Sequence, residues 1–177
     1  FVSMKYMNET NAILKIENTR AWMIDKPVHH GQQFAGQVMN WMLSDSKINY
    51  EKMCQEHPYH RDYCADRGWD EDNAIQYRIN AEGFRGEEFA YNDCVITLGC
   101  SFTFGVGLPE HTVWPYVVSA ELGLPVANLS WGGNSADGCF RMAEYWIPRL
   151  KPKLVVMLTP GAHRHDLITD NEVITFV

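Results

Sequence analysis

From Asp93 onward, hydrophobic and polar positions alternate between two periods. Val95-Ile96-Thr97-Leu98 is a short apolar run closed by Gly99, the pattern of a strand buried on both faces. Helical spacing follows from about Val113 to Leu122, a second apolar run covers 125–129, helical spacing returns from about Ala136 to Leu150, and a third run covers 154–158. Gly123 fits a helix C-terminus, Ser135 an N-cap, and Pro152 the break before the third strand. Pro148 lies near the end of the second helix and blurs it. Strands alternating with helices of this length predict a parallel sheet built from βαβ units.

Residues 1–92 show little clean alternation and read as an irregular N-terminal extension packed on the α/β core of residues 93–177. Within the extension, Gln33 to Leu43 places Phe34, Val38, Trp41 and Met42 at helical spacing, which predicts one amphipathic helix. The remainder reads as loops and short helices wrapping the core. No internal repeat or low-complexity tract is present.

Composition narrows the function classes. At 177 residues and 46% hydrophobic content, the chain suits one domain with a sizeable core. A net charge of −7 without a Lys/Arg cluster argues against a nucleic-acid partner, whose phosphates require basic neutralisation. No stretch has the length of a membrane span, and Phe1-Val2-Ser3-Met4-Lys5 lacks the basic and apolar regions of a signal peptide. Cys54, Cys64, Cys94, Cys100 and Cys139 are odd in number and lack a framework-like spacing, which favours buried thiols in a reducing compartment. Cys54, His57, His60 and Cys64 superficially suit tetrahedral zinc, but the spacing matches no zinc finger and Pro58 interrupts any helix that aligns them. No metal and no cofactor are assigned.

In a parallel α/β sheet, ligands bind beyond the carboxyl ends of the strands, where the loops 99–107, 129–135 and 159–166 are expected. One crevice then collects a serine (Ser101), glycine N–H groups (Gly132, Gly133), an amide (Asn134) and two imidazoles (His163, His165). Ser101 reads as a helix N-cap, at the positive end of a helix dipole, which suits an oxyanion or a phosphate. The loop lacks both the G-K-[ST] ending of a P-loop and a G-x-G-x-x-G fingerprint, so acyl transfer is the better fit: a nucleophile with an oxyanion hole beside it. Trp131 stands where it walls an acyl or glycan pocket, and the other tryptophans read as core or rim. Arg164 either binds a substrate carboxylate or pairs with Asp166.

Gly99-Cys100-Ser101-Phe102-Thr103-Phe104-Gly105 resembles the Gly-Asp-Ser-x-Thr block of the SGNH hydrolases, the GDSL esterases and lipases. Asn80-Ala81-Glu82-Gly83-Phe84-Arg85-Gly86 resembles a segment that often precedes the first strand in one branch of that family. Val126 to Gly133 resembles its second strand and block II loop, and Lys151 to Val156 the approach to its third strand. The resemblance implies a flavodoxin-like three-layer sandwich with a parallel sheet. It makes Ser101 the nucleophile and first oxyanion donor through its own N–H, Gly133 N–H the second donor, and His163 the third where the family carries Asn. Asn134 is a rival donor. Cys100 replaces the Asp of the block.

Family members also carry a late Asp-x-x-His, and none follows the third strand here. Three explanations stay open: the core is C-terminally incomplete, with the first three of five strands; His163 or His165 serves as base; or the site is inert. The function implied is a serine esterase working through an acyl-serine intermediate on a small ester or acylated glycan. The alternative is a non-catalytic binding or structural domain of a larger assembly.

Overall fold

The computed structural model describes residues 26–40, 47–67, 75–168 and 173–176. A 3-10 turn at Gln32–Phe34 leads to β1 (Val38–Asn40). Two short helices follow, α1 (Lys47–Glu56) and α2 (His60–Ala65). β2 (Gln76–Arg78) pairs antiparallel with β1, Met39 opposite Tyr77.

The α/β part begins with β3 (Val95–Leu98), buried along its whole length, and a single turn of helix, α3 (Ser101–Phe104). Next come α4 (Trp114–Leu122), β4 (Val126–Asn128), α5 (Ala136–Leu150) and β5 (Leu154–Met157). These three strands form one parallel sheet in the order β4-β3-β5. The protein is therefore mixed α/β, with its central strand first in sequence. An antiparallel hairpin of β6 (His165–Ile168) and β7 (Val173–Phe176) follows.

Local chemistry sets these boundaries as the sequence predicts. α4 carries Pro115 in its first turn and stops at Gly123, whose φ of +62° suits glycine. α5 is capped by the Ser135 hydroxyl, which accepts the Gly138 N–H at 3.0 Å. Pro148 lies inside its last turns, and the helix runs on to Leu150. Cys139, Met142, Trp146 and Leu150 form the apolar stripe of α5 and pack on Ile96, Leu98, Ala127 and Leu129, with Phe84 from the extension completing the cluster.

A second cluster joins the extension to the strand ends. Ile75, Tyr77, Ile79 and Phe104 are buried together, with Phe34, Met39 and Trp131 packed against them.

Two expectations are corrected. The helix predicted over Gln33–Leu43 is a 3-10 turn followed by a strand: Gly36 takes a φ of +73°, its N–H donates to Asn80 O, and Ile79 N–H donates to Gln37 O. Phe34 packs on Trp131 instead of sharing a helical face with Val38, which is exposed; Trp41, Met42 and Leu43 lie outside the described residues. The third loop is shorter than 159–166, because His165 and Asp166 already belong to β6. Among the described residues no helix is long and apolar enough to cross a membrane.

Candidate functional site

The strand-end loops meet at Gly99. Its carbonyl accepts the Asn134 Nδ2 amide from the second loop at 3.1 Å, and Cys139 Sγ lies 3.8 Å from the same oxygen. On its other side a Cβ at Gly99 would collide with Thr103 Oγ1 and stand 3.1 Å from the Leu158 carbonyl at the end of β5. The glycine is required because three chain segments close on it.

The turn after Gly99 departs from the expected cap. Cys100 is the N-cap of α3 and Ser101 is its first helical residue; Cys100 O accepts the N–H groups of Thr103 and Phe104. One turn aligns too few peptides for the full helix dipole, so the Ser101 N–H acts as a local donor. Ser101 is half-buried, and among the described residues nothing hydrogen-bonds its hydroxyl. The thiol of Cys100 is buried, as is Cys139, whose pKa burial pushes up to about 12.

Arg85 holds the stretch that follows. Its guanidinium donates to Phe104 O (3.0 Å), Gly105 O (2.7 Å) and Leu108 O (2.7 Å) and lies over the Tyr77 ring at 4.3 Å. The residue is 1% exposed, and burial lowers its pKa. Tyr77 Oη accepts Gly107 N–H at 2.7 Å, Tyr116 Oη donates to Arg85 O at 2.7 Å, and Asn128 Nδ2 donates to Thr103 O at 2.9 Å. The segment Asn80–Gly86 thereby presents a buried cation to carbonyls that no helix or sheet satisfies.

In the second loop Gly133 adopts a φ of +81° in open space. The turn that positions its N–H is closed by Asn134 N–H donating to Trp131 O at 3.2 Å. Asn134 is buried, and its amide donates to Gly99 O and lies 3.6 Å from Cys139 Sγ, which fastens the second loop to the end of β3. Trp131 stacks on Phe34 (centroids 5.6 Å apart) and meets Phe104 edge-on at 4.9 Å, so it walls this end of the sheet from within an aromatic cluster.

The third loop is less engaged. His163 is exposed, with its ring lying against Gly161. His165 is exposed, 3.8 Å from Asp137 Oδ2. Arg164 is half-buried, and its Nε and one terminal nitrogen have no hydrogen-bond partner. Its expected pairing with Asp166 gives way to another: Asp166 Oδ2 binds Arg141 Nη2 at 3.1 Å, with the Asp166 side chain fully buried and that of Arg141 9% exposed. Thr175 Oγ1 donates to Asp166 Oδ1 at 2.8 Å and lies 2.9 Å from His30 Nε2. With the hydroxyl hydrogen spent on Asp166, the imidazole is the donor. Arg141 also reaches Val28 O at 3.2 Å, which ties the extension, α5 and the hairpin together. His29 next door stacks on Phe84 at 4.2 Å and binds Glu82 O at 2.9 Å, and burial lowers its pKa to about 4.

Cys64 and His60 approach to 3.7 Å beside Tyr50 on α1 and α2. Among the described residues no group of three or more His, Cys, Asp or Glu side chains is arranged to hold a metal. The structure therefore ties the segment that carries Ser101 to the second loop, through Asn134 on Gly99 and Trp131 on Phe104, and leaves His163 and His165 exposed. Residues the sequence did not single out are Arg141, Asp166 as its partner, Asn128 and Tyr77. All act through long-range contacts, so no spacing within a short window marks them. Compared with known protein families, curated proteins and solved structures, the chain matches none.

Proposed function

We propose that the chain is a serine esterase-type hydrolase of the SGNH kind, acting on a small ester or an acylated glycan. The observation that supports this reading is the hydrogen bond from Asn134, next to Gly133, to the Gly99 carbonyl two residues before Ser101 at the head of its turn. Ser101 Oγ attacks the ester carbonyl carbon and its proton passes to an imidazole. The Ser101 and Gly133 N–H groups hold the oxyanion, with His163 as a further donor. Collapse breaks the ester C–O bond, and the alcohol leaves with that proton. Water then attacks the acyl-serine and releases the acid.

The second reading, a non-catalytic domain that binds through the same crevice, is favoured by one observation. No imidazole of the described residues lies within hydrogen-bond reach of Ser101 Oγ, and a serine without such a partner is a weak nucleophile. Intact mass after treatment with a fluorophosphonate separates the two. A single adduct, absent in Ser101→Ala, supports the esterase; no adduct in the unaltered chain supports the binding domain. His163→Ala then sorts roles: loss of the adduct makes it part of the reacting machinery, and retention leaves it at the rim.

A further inference from the structure

Residues 28–36 of the extension form a strap that is fastened along its length. Val28 O accepts Arg141 Nη1 of α5 at 3.2 Å. His29 Nε2 donates to Glu82 O at 2.9 Å, and the ring stacks on Phe84. His30 Nε2 donates to Thr175 Oγ1 of β7 at 2.9 Å. Phe34 stacks on Trp131 with the ring planes 10° apart. Between the histidines and Phe34 the fit is tight: a Cβ on Gly31 would collide with Gly83 O and stand 2.7 Å from the Trp131 ring. Trp131 O in turn accepts the Asn134 N–H and so closes the turn that carries Gly133. The second loop is thus set against the strap.

Geometry holds both imidazoles neutral in this arrangement. The one N–H of neutral His29 goes to Glu82 O, and Nδ1, where a second proton would add, is buried without a hydrogen-bond partner. Lys26, His30 and Arg141 face the ring, and the Glu82 carboxylate beside it is bound to Lys26 at 2.6 Å. His30 faces Arg141 and Asp166, and both Asp166 oxygens are already met, by Thr175 and Arg141. Burial lowers the pKa of His29 to about 4 and lowers that of His30 as well.

We infer that the strap is a positioning element for the second loop and that acid releases it. A proton on His29 or His30 is admitted when the strap lifts and the ring meets water, so protonation draws the strap away. Docking is at full strength above pH 6.5 and weakens as the pH falls toward 4. Gly31 and Phe34 leave Trp131 with the strap, and the turn at Gly133 loses its support. The bearing of this on catalysis rests on the proposed role of the Gly133 N–H as an oxyanion donor; the release itself does not.

Native-state hydrogen exchange at pH 7.5 and pH 5, with low urea added in steps, tests both halves. The Gly36 N–H, which donates to Asn80 O, reports the strap, and the Asn134 N–H reports the second loop. With an ordinary pKa of 6.5 and a docked one of about 4, His29 alone raises the open population roughly 30-fold over that interval, and His30 adds to it. The expected result is that both amides lose protection together by that factor or more, with little dependence on urea. The α5 amides stay better protected and steeply urea-dependent, because they need a larger opening. His29→Gln, which keeps a donor for Glu82 O, reduces the change at Gly36 to the share of His30. Phe34→Ala leaves the response of Gly36 in place and weakens that of Asn134. Equal protection of Gly36 at the two pH values overturns the inference. So does a Gly36 amide that shares the protection and urea slope of α5 throughout, which would make the opening global. An Asn134 amide that holds its protection while Gly36 loses its own removes the positioning role. None of these readouts needs an adduct on Ser101, so they stand or fall apart from the esterase reading.

Discussion

Arg85 spends its guanidinium on main-chain carbonyls at Phe104, Gly105 and Leu108. A planar fork reaches several acceptors at once, whereas an ammonium is a point donor. Arg85→Lys therefore restores the charge without the geometry. Arg85→Ala is expected to cost about 3 kcal/mol, from charged hydrogen bonds of roughly 1.5–3 kcal/mol each that water replaces only in part. Urea unfolding measures the loss, and a value for Arg85→Lys indistinguishable from the unaltered protein would refute the geometric account. His29 gives a pH dependence with a fixed sign. Its folded pKa of about 4 lies below the ordinary 6.5, so the unfolded chain takes up the proton first. Stability is at its full value above pH 6.5 and falls as the pH drops toward 4, by about 3 kcal/mol from this residue at most. His29→Gln flattens that slope in unfolding curves recorded between pH 7 and pH 4.5; an unchanged slope would assign the effect elsewhere.

At the scale of elements, α5 shows what local chemistry decides and what it does not. Ser135→Ala removes the hydroxyl that accepts Gly138 N–H and is expected to cost about 1 kcal/mol. Asp166→Ala strands Arg141 in a buried position and is expected to cost about 3–5 kcal/mol. Its signature is loss of amide protection in β6 and β7 ahead of α5; uniform loss would mean the pair supports the whole fold instead. The helix and its cap were legible in the sequence because both are set within a few residues. Val95–Leu98 was legible for the same reason, an apolar run stopped by a glycine. The strand at Val38–Asn40 was not. Phe34 and Val38 share a spacing by coincidence, and only Gly36 and a partner strand some 40 positions away decide against the helix. The candidate site divides along the same line. Ser101 and Gly133 stood out by local pattern, while the Asp166–Arg141 pair and the occupied amide of Asn134 depend on contacts that no short window contains.

For the whole molecule, the turn that carries Ser101 is shaped from outside. Its carbonyls and N–H groups are met by Arg85, Tyr77 and Asn128, and Gly99 by Asn134, at sequence separations of 19 to 35 residues. Contacts of that separation form only after loop closure has been overcome, and they set the slow steps of folding. The turn therefore forms after the helices, whose contacts are local. In pulse-labelling hydrogen exchange during refolding, the Gly107 amide, which binds Tyr77 Oη, is expected to gain protection after the amides of α5. Simultaneous protection would make the turn a local structure after all. A nascent chain therefore holds its helices before it holds its serine in place, and any reactivity of that serine is a property acquired only once distant segments have met.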